Sequence, residues 1–343
     1  MYDVIVVGAG PAGSTAAKTL AEKGRKVLLA ERAKMPRYKS CSGQLIQKTL
    51  DLVERYFGEP VPLSTMCKPT ENRGVILTDD RGNTFRFEQS GRNVWRSSFD
   101  KWLADKAAAA GAEVVEETAA LACEQRSDAV TATLKSGDHI YAEQARYIVD
   151  CEGVTGALKR KLMGKEPEYV TTFQTYNRGS IDLDPHFFYA WLQPLLSQYD
   201  AWFNVKDGQL VLGVSVRDSE RIDEYFARFI AYMQEKHGLR IEKQLKEDRW
   251  LLHRVRPGCP IDHGVGRVLF AGETAGFLNP MGEGVSSAIE SGHLLGEAME
   301  AHFDDPKAVL SAYATAARPL QDYMKRQWHL VSAMSDAFGD MKI

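Results

Sequence analysis

Residues 2–32 read YDVIVVGAGPAGSTAAKTLAEKGRKVLLAER and decide the fold. Residues 4–7 are apolar and mostly β-branched, which predicts a buried strand. Three glycines with G-x-G-x-x-G spacing come next, namely Gly8, Gly10 and Gly13. Helix formers fill residues 14–22, and residues 27–30 are again an apolar run. The stretch therefore predicts a strand, a tight turn, a helix and a second strand.

The glycine turn of this unit is suited to a pyrophosphate group. Gly8 permits the turn, Gly10 lets backbone approach the phosphates, and Gly13 lets the helix pack closely on the strand. The helix N-terminus then points its N–H groups at the phosphates. Glu31 follows the second strand, where its carboxylate would bind ribose hydroxyls and repel a 2′-phosphate. Because all these features occur in order, we predict a site for FAD or NAD rather than NADP.

The length and composition of the chain argue against several other classes of protein. A chain of 343 residues is long enough for two domains with substantial cores. Its 43 basic and 46 acidic side chains form no basic block, which argues against nucleic-acid binding. Five cysteines without C-x-x-C spacing predict reduced thiols in a cytoplasmic protein and no metal site. With neither a leader nor a long apolar run, we expect at most peripheral membrane contact.

A second glycine turn lies in the C-terminal half. Residues 267–271 predict a buried strand, and Gly272-Glu273 then place a carboxylate at the carboxyl edge of the sheet. Residues 280–284, PMGEG, precede a long helix and aim its N-terminus into the same crevice. Free N–H groups there would stabilise the negative charge of a reduced flavin around N1 and C2=O. The site therefore suits a flavin better than a nicotinamide.

Residues 166–257 and the C-terminal segment have sequence patterns that predict other secondary structure than the glycine-turn regions. The middle region is rich in aromatic residues and in alternating patterns, which predicts an antiparallel sheet. After it and the second glycine turn, two helices are predicted to finish the chain, one from Pro306 and one from about Arg318.

Four segments together resemble the FAD-dependent oxidoreductases built on the p-hydroxybenzoate hydroxylase fold. They are the N-terminal fingerprint, RSSFDKWL from Arg96, VDCEGVTGALKR from Val149, and AGETAGFLNPMGEGVSSAIESG from Ala271. Within these enzymes the chain most resembles the geranylgeranyl reductase family. Three segments carry that closer resemblance: RYKSCSG at 37–43, similar to the family's R-x-K-x-C-x-G loop, PMGEGVSSAIESG at 280–292, and YDAWF at 199–203.

The resemblance implies an α/β protein with a Rossmann-like FAD-binding domain of the p-hydroxybenzoate hydroxylase and glutathione reductase type. An inserted antiparallel-sheet substrate domain and a C-terminal helical segment would complete it. The predicted FAD-binding domain is discontinuous and comprises residues 1–60, 92–164 and 258–305. The substrate domain would comprise residues 61–91 and 165–257, and C-terminal helices would occupy 306–343.

The resemblance also implies residue roles. The first glycine turn would hold the pyrophosphate, Glu31 with Arg32 the adenosine half, and Arg96 another part of the cofactor. Glu273, which stands where the family usually has Asp, would hold the ribityl chain, and residues 282–285 the flavin ring. The predicted cofactor-binding residues are Gly8, Gly10, Pro11, Ala12, Gly13, Glu31, Arg32, Cys41, Ser42, Gly43, Arg96, Asp150, Gly153, Gly272, Glu273, Gly282, Gly284 and Val285.

Three further side chains are candidates for the reaction itself. Cys41 would lie beside the isoalloxazine, where a thiol would assist proton delivery or shape the pocket, and simple packing is an equally good interpretation. Tyr199 and Trp202 are candidates for an apolar wall over the flavin, although aromatic residues on a sheet belong to the core by default.

Three functions stay open at this point. The first is reduction of isolated C=C bonds in a prenyl lipid or a similar apolar substrate, with NAD(P)H or a small redox protein as electron donor. The second is a flavin monooxygenase or halogenase that uses oxygen, although the W-x-W-x-I-P segment associated with halogenases is absent. The third is a non-catalytic flavin electron-relay protein. A lipid substrate would make peripheral membrane contact useful.

Overall fold

A computed structural model describes residues 1–335 and Phe338. The strands are β1 (Tyr2–Val7), β2 (Val27–Ala30), β3 (Gln44–Ile46), β4 (Met66–Thr78), β5 (Thr84–Val94), β6 (Glu113–Val115), β7 (Thr118–Gln125), β8 (Val130–Ser136), β9 (His139–Asp150), β10 (Tyr169–Ser180), β11 (Phe187–Trp191), β12 (Ala201–Lys206), β13 (Gln209–Val216), β14 (Arg240–His253), β15 (Gly264–Val265) and β16 (Val268–Phe270). The helices are α1 (Pro11–Glu22), α2 (Gln47–Phe57), α3 (Arg96–Ala109), α4 (Ala157–Met163), α5 (Ile222–His237), α6 (Val285–His302) and α7 (Pro306–Met334).

The first sheet contains the N-terminal strand near its middle. Its order is β15-β16-β9-β1-β2-β6, and β7 and β8 extend it from β9. β1 pairs in parallel with β2 and with β9, so its residues 4–7 are buried on both faces. Helices α1 and α6 pack against each other beside this sheet. The predicted unit of strand, glycine turn, helix and strand is therefore confirmed.

The second sheet has the order β14-β10-β13-β12-β11-β4-β5-β3. Its neighbours are antiparallel except for β11 and β4, which run in parallel. Aromatic side chains form much of its core, among them Phe187, Trp191 and Phe203, and Phe229 of α5 packs into the same cluster. The antiparallel sheet expected from the aromatic middle region is confirmed. β5 crosses the boundary that the sequence predicts between residues 91 and 92. The predicted domain boundaries stay a prediction.

One helix, α7, covers most of the C-terminal segment, where the sequence predicts two. Asp305 caps it by accepting hydrogen bonds from the N–H groups of Lys307 and Ala308. Pro319 lies inside the helix without ending it, because buried side chains continue along one face on both sides of the proline. Packing thus outweighs the local break that the proline predicts. Residues 336, 337 and 339–343, which the sequence also assigns to the C-terminal helices, lie outside the described residues.

Across the described part of the chain, no helix combines the length and the apolar character needed to cross a membrane.

Candidate functional site

A cavity of about 520 Å³ is lined by residues of both sheets. One side consists of the β1–α1 turn, the end of β2, the loop between β2 and β3, and the start of α3. The turns after β9 and β16 and the start of α6 continue that side. Residues of β10, β11, β12 and β14 form the opposite wall. The volume lies in the range of small-molecule and cofactor pockets.

Most of the predicted cofactor-binding residues line this cavity. They are Gly8, Gly10, Pro11, Ala12, Glu31, Arg32, Cys41, Ser42, Arg96, Gly153, Gly272, Glu273, Gly282, Gly284 and Val285. Gly13, Gly43 and Asp150 lie outside the lining set. Gly13 packs behind the first turn, since a Cβ on it would lie 1.9 Å from the Gly8 carbonyl oxygen. The cavity thus brings together residues 264 or more positions apart in the chain, such as Gly8 and Gly272.

The first glycine turn leaves its backbone open to the cavity. Gly8 has a φ of 97°, and a Cβ there would lie 2.5 Å from the carbonyl oxygen of Cys151. Gly10 is the N-cap of α1, and no side chain caps the helix. The N-terminus of α1 therefore offers a place for an anionic phosphate group.

Glu31 is buried at the end of β2 and holds the glycine turn in place. One carboxylate oxygen accepts a hydrogen bond from Ala9 N–H at 3.0 Å, and the other accepts one from Ala33 N–H at 3.0 Å. Arg37 Nε lies 3.3 Å from the same carboxylate. The side chain is thus fixed beside the glycine turn, and its role at the adenosine ribose stays a prediction.

Arg37 is a functional candidate that had no separate predicted role, although it begins the R-x-K-x-C-x-G segment. Besides Glu31, it pairs with Asp100 at 3.1 Å, and a Cβ on Gly10 would be 3.6 Å from its guanidinium. Asp100 also binds Arg96 through two hydrogen bonds of 2.7 and 2.9 Å. Two arginines are therefore held at the cavity, one of them beside the phosphate-binding turn.

Cys41 lies in a positively charged environment. Burial raises the pKa of its thiol, but the charges of Arg96 and Lys206 lower it more, as do Lys39 and a hydrogen bond from the Gly43 N–H at 3.3 Å. The net pKa lies below the ordinary value of a cysteine. The surroundings of Cys41 therefore favour its thiolate form.

Lys206, at the end of β12, is a second residue without a role from sequence. Its side chain is 1 % exposed, and its ammonium group donates to the Cys41 carbonyl oxygen at 3.3 Å. The ammonium also lies 4.4 Å from the centre of the Trp95 ring. Gly43 has a φ of 72°, and a Cβ there would be 2.5 Å from the Lys206 nitrogen. A lysine before an Asp-Gly turn predicts exposure, so the sequence held no signal for this contact.

Glu273 is positioned by the end of β14. Its carboxylate accepts a hydrogen bond from the His253 N–H at 3.1 Å, and the His253 ring nitrogen Nδ1 lies 2.8 Å from the Glu273 carbonyl oxygen. A Cβ on Gly153 would be 3.8 Å from the carboxylate, so the turn after β9 leaves room for the extra methylene that distinguishes Glu from Asp. The carboxylate reaches the cavity beside the predicted ribityl position.

The turn before α6 is held by Asn279, which the sequence did not single out. Its side-chain oxygen accepts hydrogen bonds from Met281 N–H at 2.9 Å and from Glu283 N–H at 3.0 Å. Gly284 is the N-cap of α6 and no side-chain cap is present. The backbone of residues 282–285 therefore borders the cavity with a helix N-terminus behind it.

The opposite wall of the cavity is largely apolar. Its apolar residues include Phe188, Trp202, Trp250 and Leu252, and Leu278 and Met281 of the turn before α6 add apolar surface from the other side. Tyr199 lines it too and donates a hydrogen bond from its hydroxyl to the Pro280 carbonyl oxygen at 2.8 Å. The Trp202 ring packs against Gly213, where a Cβ would lie 2.1 Å from the ring. Both aromatic residues that the sequence nominated for a pocket wall therefore reach the cavity.

The residues present fit FAD. An uncapped helix N-terminus and the Arg37 guanidinium lie where a pyrophosphate needs positive charge, and buried Glu31 lies where a ribose needs an acceptor. The turn before α6 presents a second helix N-terminus at the other end of the cavity, where the flavin ring would lie.

Residues 1–253 match the FAD binding domain family. Digeranylgeranylglycerophospholipid reductase 1 of Methanopyrus kandleri is 29% identical over 329 residues, which cover 89% of this chain and 82% of the relative. Digeranylgeranylglycerophospholipid reductase of Methanosarcina acetivorans is 27% identical over 316 residues, which cover 87% of this chain and 75% of that protein.

Solved structures support the same fold. A geranylgeranyl bacteriochlorophyll reductase-like protein from Thermoplasma acidophilum aligns with a TM-score of 0.83 and 21% identity, covering 99% of this chain and 89% of that one. A triple mutant of a flavin-dependent brominase aligns with a TM-score of 0.77 and 21% identity, covering 97% and 90%. The predicted α/β fold class is therefore confirmed.

Proposed function

Since this chain belongs to the FAD-binding domain family, we propose that it is a flavin-dependent reductase of C=C bonds in a prenyl lipid. FAD is its cofactor. The observation that carries the proposal is the cavity itself, in which residues suited to FAD face an apolar wall containing Trp202 and Trp250. A hydrocarbon chain with isolated double bonds suits such a wall better than a polar metabolite does. The names of the two reductase relatives agree with this substrate class.

When bound and reduced, FAD supplies a hydride. The chain's own residues would bind and orient it: Glu31 at the adenosine ribose, Arg37 with the α1 N-terminus at the pyrophosphate, and Glu273 at the ribityl hydroxyls. Uncapped N–H groups at the start of α6 would stabilise negative charge on the flavin ring without any side-chain motion.

The apolar wall would align the lipid chain and exclude water from the reacting carbons. Exclusion of water matters because it strengthens every charge interaction in the cavity and prevents side reactions of the reduced cofactor. Tyr199 would keep the wall and the α6 turn in register, since its hydroxyl is bonded to Pro280.

The proposal extends to partners and location. We propose NAD(P)H or a small redox protein as the electron donor. A prenyl lipid resides in a membrane, so the protein would contact the cytoplasmic membrane surface peripherally while it takes up substrate.

The experiment is an anaerobic half-reaction. The FAD-loaded protein is reduced with dithionite, excess reductant is removed, and digeranylgeranylglycerophospholipid in detergent micelles is added while flavin absorbance is followed. We expect flavin reoxidation without oxygen and a lipid product heavier by one pair of hydrogens per reduced bond. The fully saturated lipid serves as the control and leaves the flavin reduced.

Other results would contradict the proposal in distinct ways. If the flavin stays reduced until air enters, an oxygen-dependent reaction takes its place. If the flavin is reoxidised by electron acceptors but never by the lipid, the protein is an electron relay.

A further inference from the structure

We propose that Asp200 is the acid that supplies the proton when a C=C bond is reduced in this cavity. The inference rests on the proposed function and assigns a residue for one of its steps. Addition of hydrogen to an alkene requires a hydride at one carbon and a proton at its neighbour, so the cavity must hold a proton donor next to the substrate.

Asp200 lies in the apolar wall. It immediately precedes β12, between Tyr199 and the strand that carries Trp202, and it lines the cavity. The other acidic lining residues, Glu31, Glu152 and Glu273, all come from the cofactor side. Among the lining residues that the structure describes, Asp200 is thus the carboxyl group on the side where a lipid chain would lie.

Ser215 of β13 fixes the position of this carboxyl group. Its N–H donates to the Asp200 carbonyl oxygen at 2.8 Å, and the Asp200 N–H donates to the Ser215 hydroxyl oxygen at 3.2 Å. The Ser215 hydroxyl also donates to carboxyl oxygen Oδ1 of Asp200. In the described part of the chain no other side chain forms a hydrogen bond with this carboxyl group, and Asp200 lines the cavity.

The charges around Asp200 leave it able to hold a proton. No described cation forms an ion pair with it. Besides Asp200 itself, the charged or titratable side chains that act on the pKa of the neighbouring Tyr199 are Arg217, Arg254 and Cys259. Across the cavity lie Lys39, Arg96, Glu152 and Glu273. Burial raises the pKa of Asp200 to about 6, against a smaller lowering by the Ser215 hydrogen bond.

A bound lipid would raise the pKa of Asp200 further and so favour its protonated form. Filling the cavity with hydrocarbon removes water from the carboxyl group and disfavours its charged state further. Cys41 has the opposite surroundings, since Arg96 and Lys206 favour its thiolate. Of the two candidates, Asp200 is therefore the better proton donor, and Cys41 has a different task beside the cofactor.

Hydride transfer and protonation together reduce the double bond. The π bond breaks, one carbon accepts a hydride from the reduced cofactor, and the other carbon accepts the proton of the Asp200 carboxyl group. Two C–H bonds form, the alkene is reduced, and the cofactor is oxidised. Asp200 is left as a carboxylate and regains a proton from water when the product leaves.

The test compares three variants with the unaltered protein in the anaerobic half-reaction. Asp200→Asn keeps the size of the side chain but removes the transferable proton, and we expect reoxidation by the lipid to slow by roughly 100-fold or more. Ser215→Ala removes the hydrogen bond that favours the carboxylate and keeps the acid. Asp223→Asn, on the exposed face of α5, is the matched control and should react at the normal rate.

The pH dependence gives a sharper readout. With Asp200 as the donor, the rate falls as pH rises through the pKa of Asp200, because the proton is lost above it. In Ser215→Ala this fall moves to higher pH, since the carboxylate has lost a stabilising hydrogen bond. In Asp200→Asn the fall disappears.

A second readout does not depend on turnover. Infrared difference spectra of the oxidised protein, recorded against pH without lipid, should show a protonated carboxyl band that titrates near pH 6. The band should be absent in Asp200→Asn and present in Asp223→Asn. Normal rate and pH profile in Asp200→Asn, or an unchanged infrared band, would overturn the assignment. Failure of the unaltered protein to reduce the lipid would instead overturn the proposed function. The infrared titration would then still show whether the Asp200 carboxyl group holds a proton near pH 6.

Discussion

The ammonium group of Lys206 donates a hydrogen bond to the backbone carbonyl of Cys41 at 3.3 Å. This contact joins β12 of the second sheet to the loop that carries the thiol, across 165 positions of sequence. Burial lowers the pKa of Lys206, while the nearby thiols of Cys41 and Cys67 favour its charged form. The positive charge of Lys206 therefore favours the thiolate of Cys41, and the thiolate in turn favours the charged form of Lys206.

Replacement of Lys206 by methionine should raise the pKa of the Cys41 thiol, because it removes a neighbouring positive charge. The measurement is the rate of alkylation of Cys41 by iodoacetamide as a function of pH, followed by mass spectrometry of the peptide. Since only the thiolate reacts, the midpoint of the curve should move to higher pH.

Lys243→Met is the matched control for this prediction, because that lysine is exposed on β14. It should leave the alkylation midpoint of Cys41 unchanged. An identical midpoint in Lys206→Met would mean that Arg96 and Lys39 alone set the state of the thiol.

Glu31→Ala should weaken FAD binding by roughly 5- to 30-fold, equivalent to about 1–2 kcal/mol. The variant removes an acceptor for the ribose and also the hydrogen bonds that hold Ala9 and Ala33. FAD occupancy after gel filtration measures the effect, with the exposed Glu54→Ala as control. Equal occupancy in the two variants would show that the adenosine half lies elsewhere.

The predicted residues that line the cavity together are set largely by local sequence. Gly8, Gly10 and Glu31 fall within 24 residues of one another, and the strand, turn and helix that position them are set by neighbouring side chains. Backbone conformation at Gly8 and packing at Gly13 follow from the absence of a Cβ, which the sequence states directly. For that reason glycine spacing predicts both the fold and one end of the cofactor site.

The parts that the sequence misses depend on strand register. Asp200 meets Ser215, and Trp202 meets Gly213, only because β12 and β13 pair at Ala201 with Val214. Lys206 reaches Cys41 only because the second sheet packs on the loop after β2. Alternation along a strand predicts which faces are shared, but the partner of each residue follows from long-range pairing.

Pro319→Ala should stabilise the protein by about 1–3 kcal/mol. Pro319 is exposed in the interior of α7 and cannot donate a hydrogen bond to the Thr315 carbonyl, whereas alanine can. Urea unfolding with saturating FAD measures the change, and Arg318→Ala controls for the loss of an exposed side chain. A lower unfolding midpoint would show that the proline holds a bend on which the packing of α7 depends.

Gly213→Ala should destabilise the protein by about 1–3 kcal/mol and weaken binding of the lipid. A Cβ at this position would lie 2.1 Å from the Trp202 ring, so the indole must move, and it lines the cavity. Combining Gly213→Ala with Trp202→Leu removes the clash, and the double variant should lose less stability than the sum of the two single changes. Thermal unfolding of the four proteins with bound FAD measures the coupling. Additive losses would mean that the indole has room to shift, and that Gly213 is not what fixes the apolar wall.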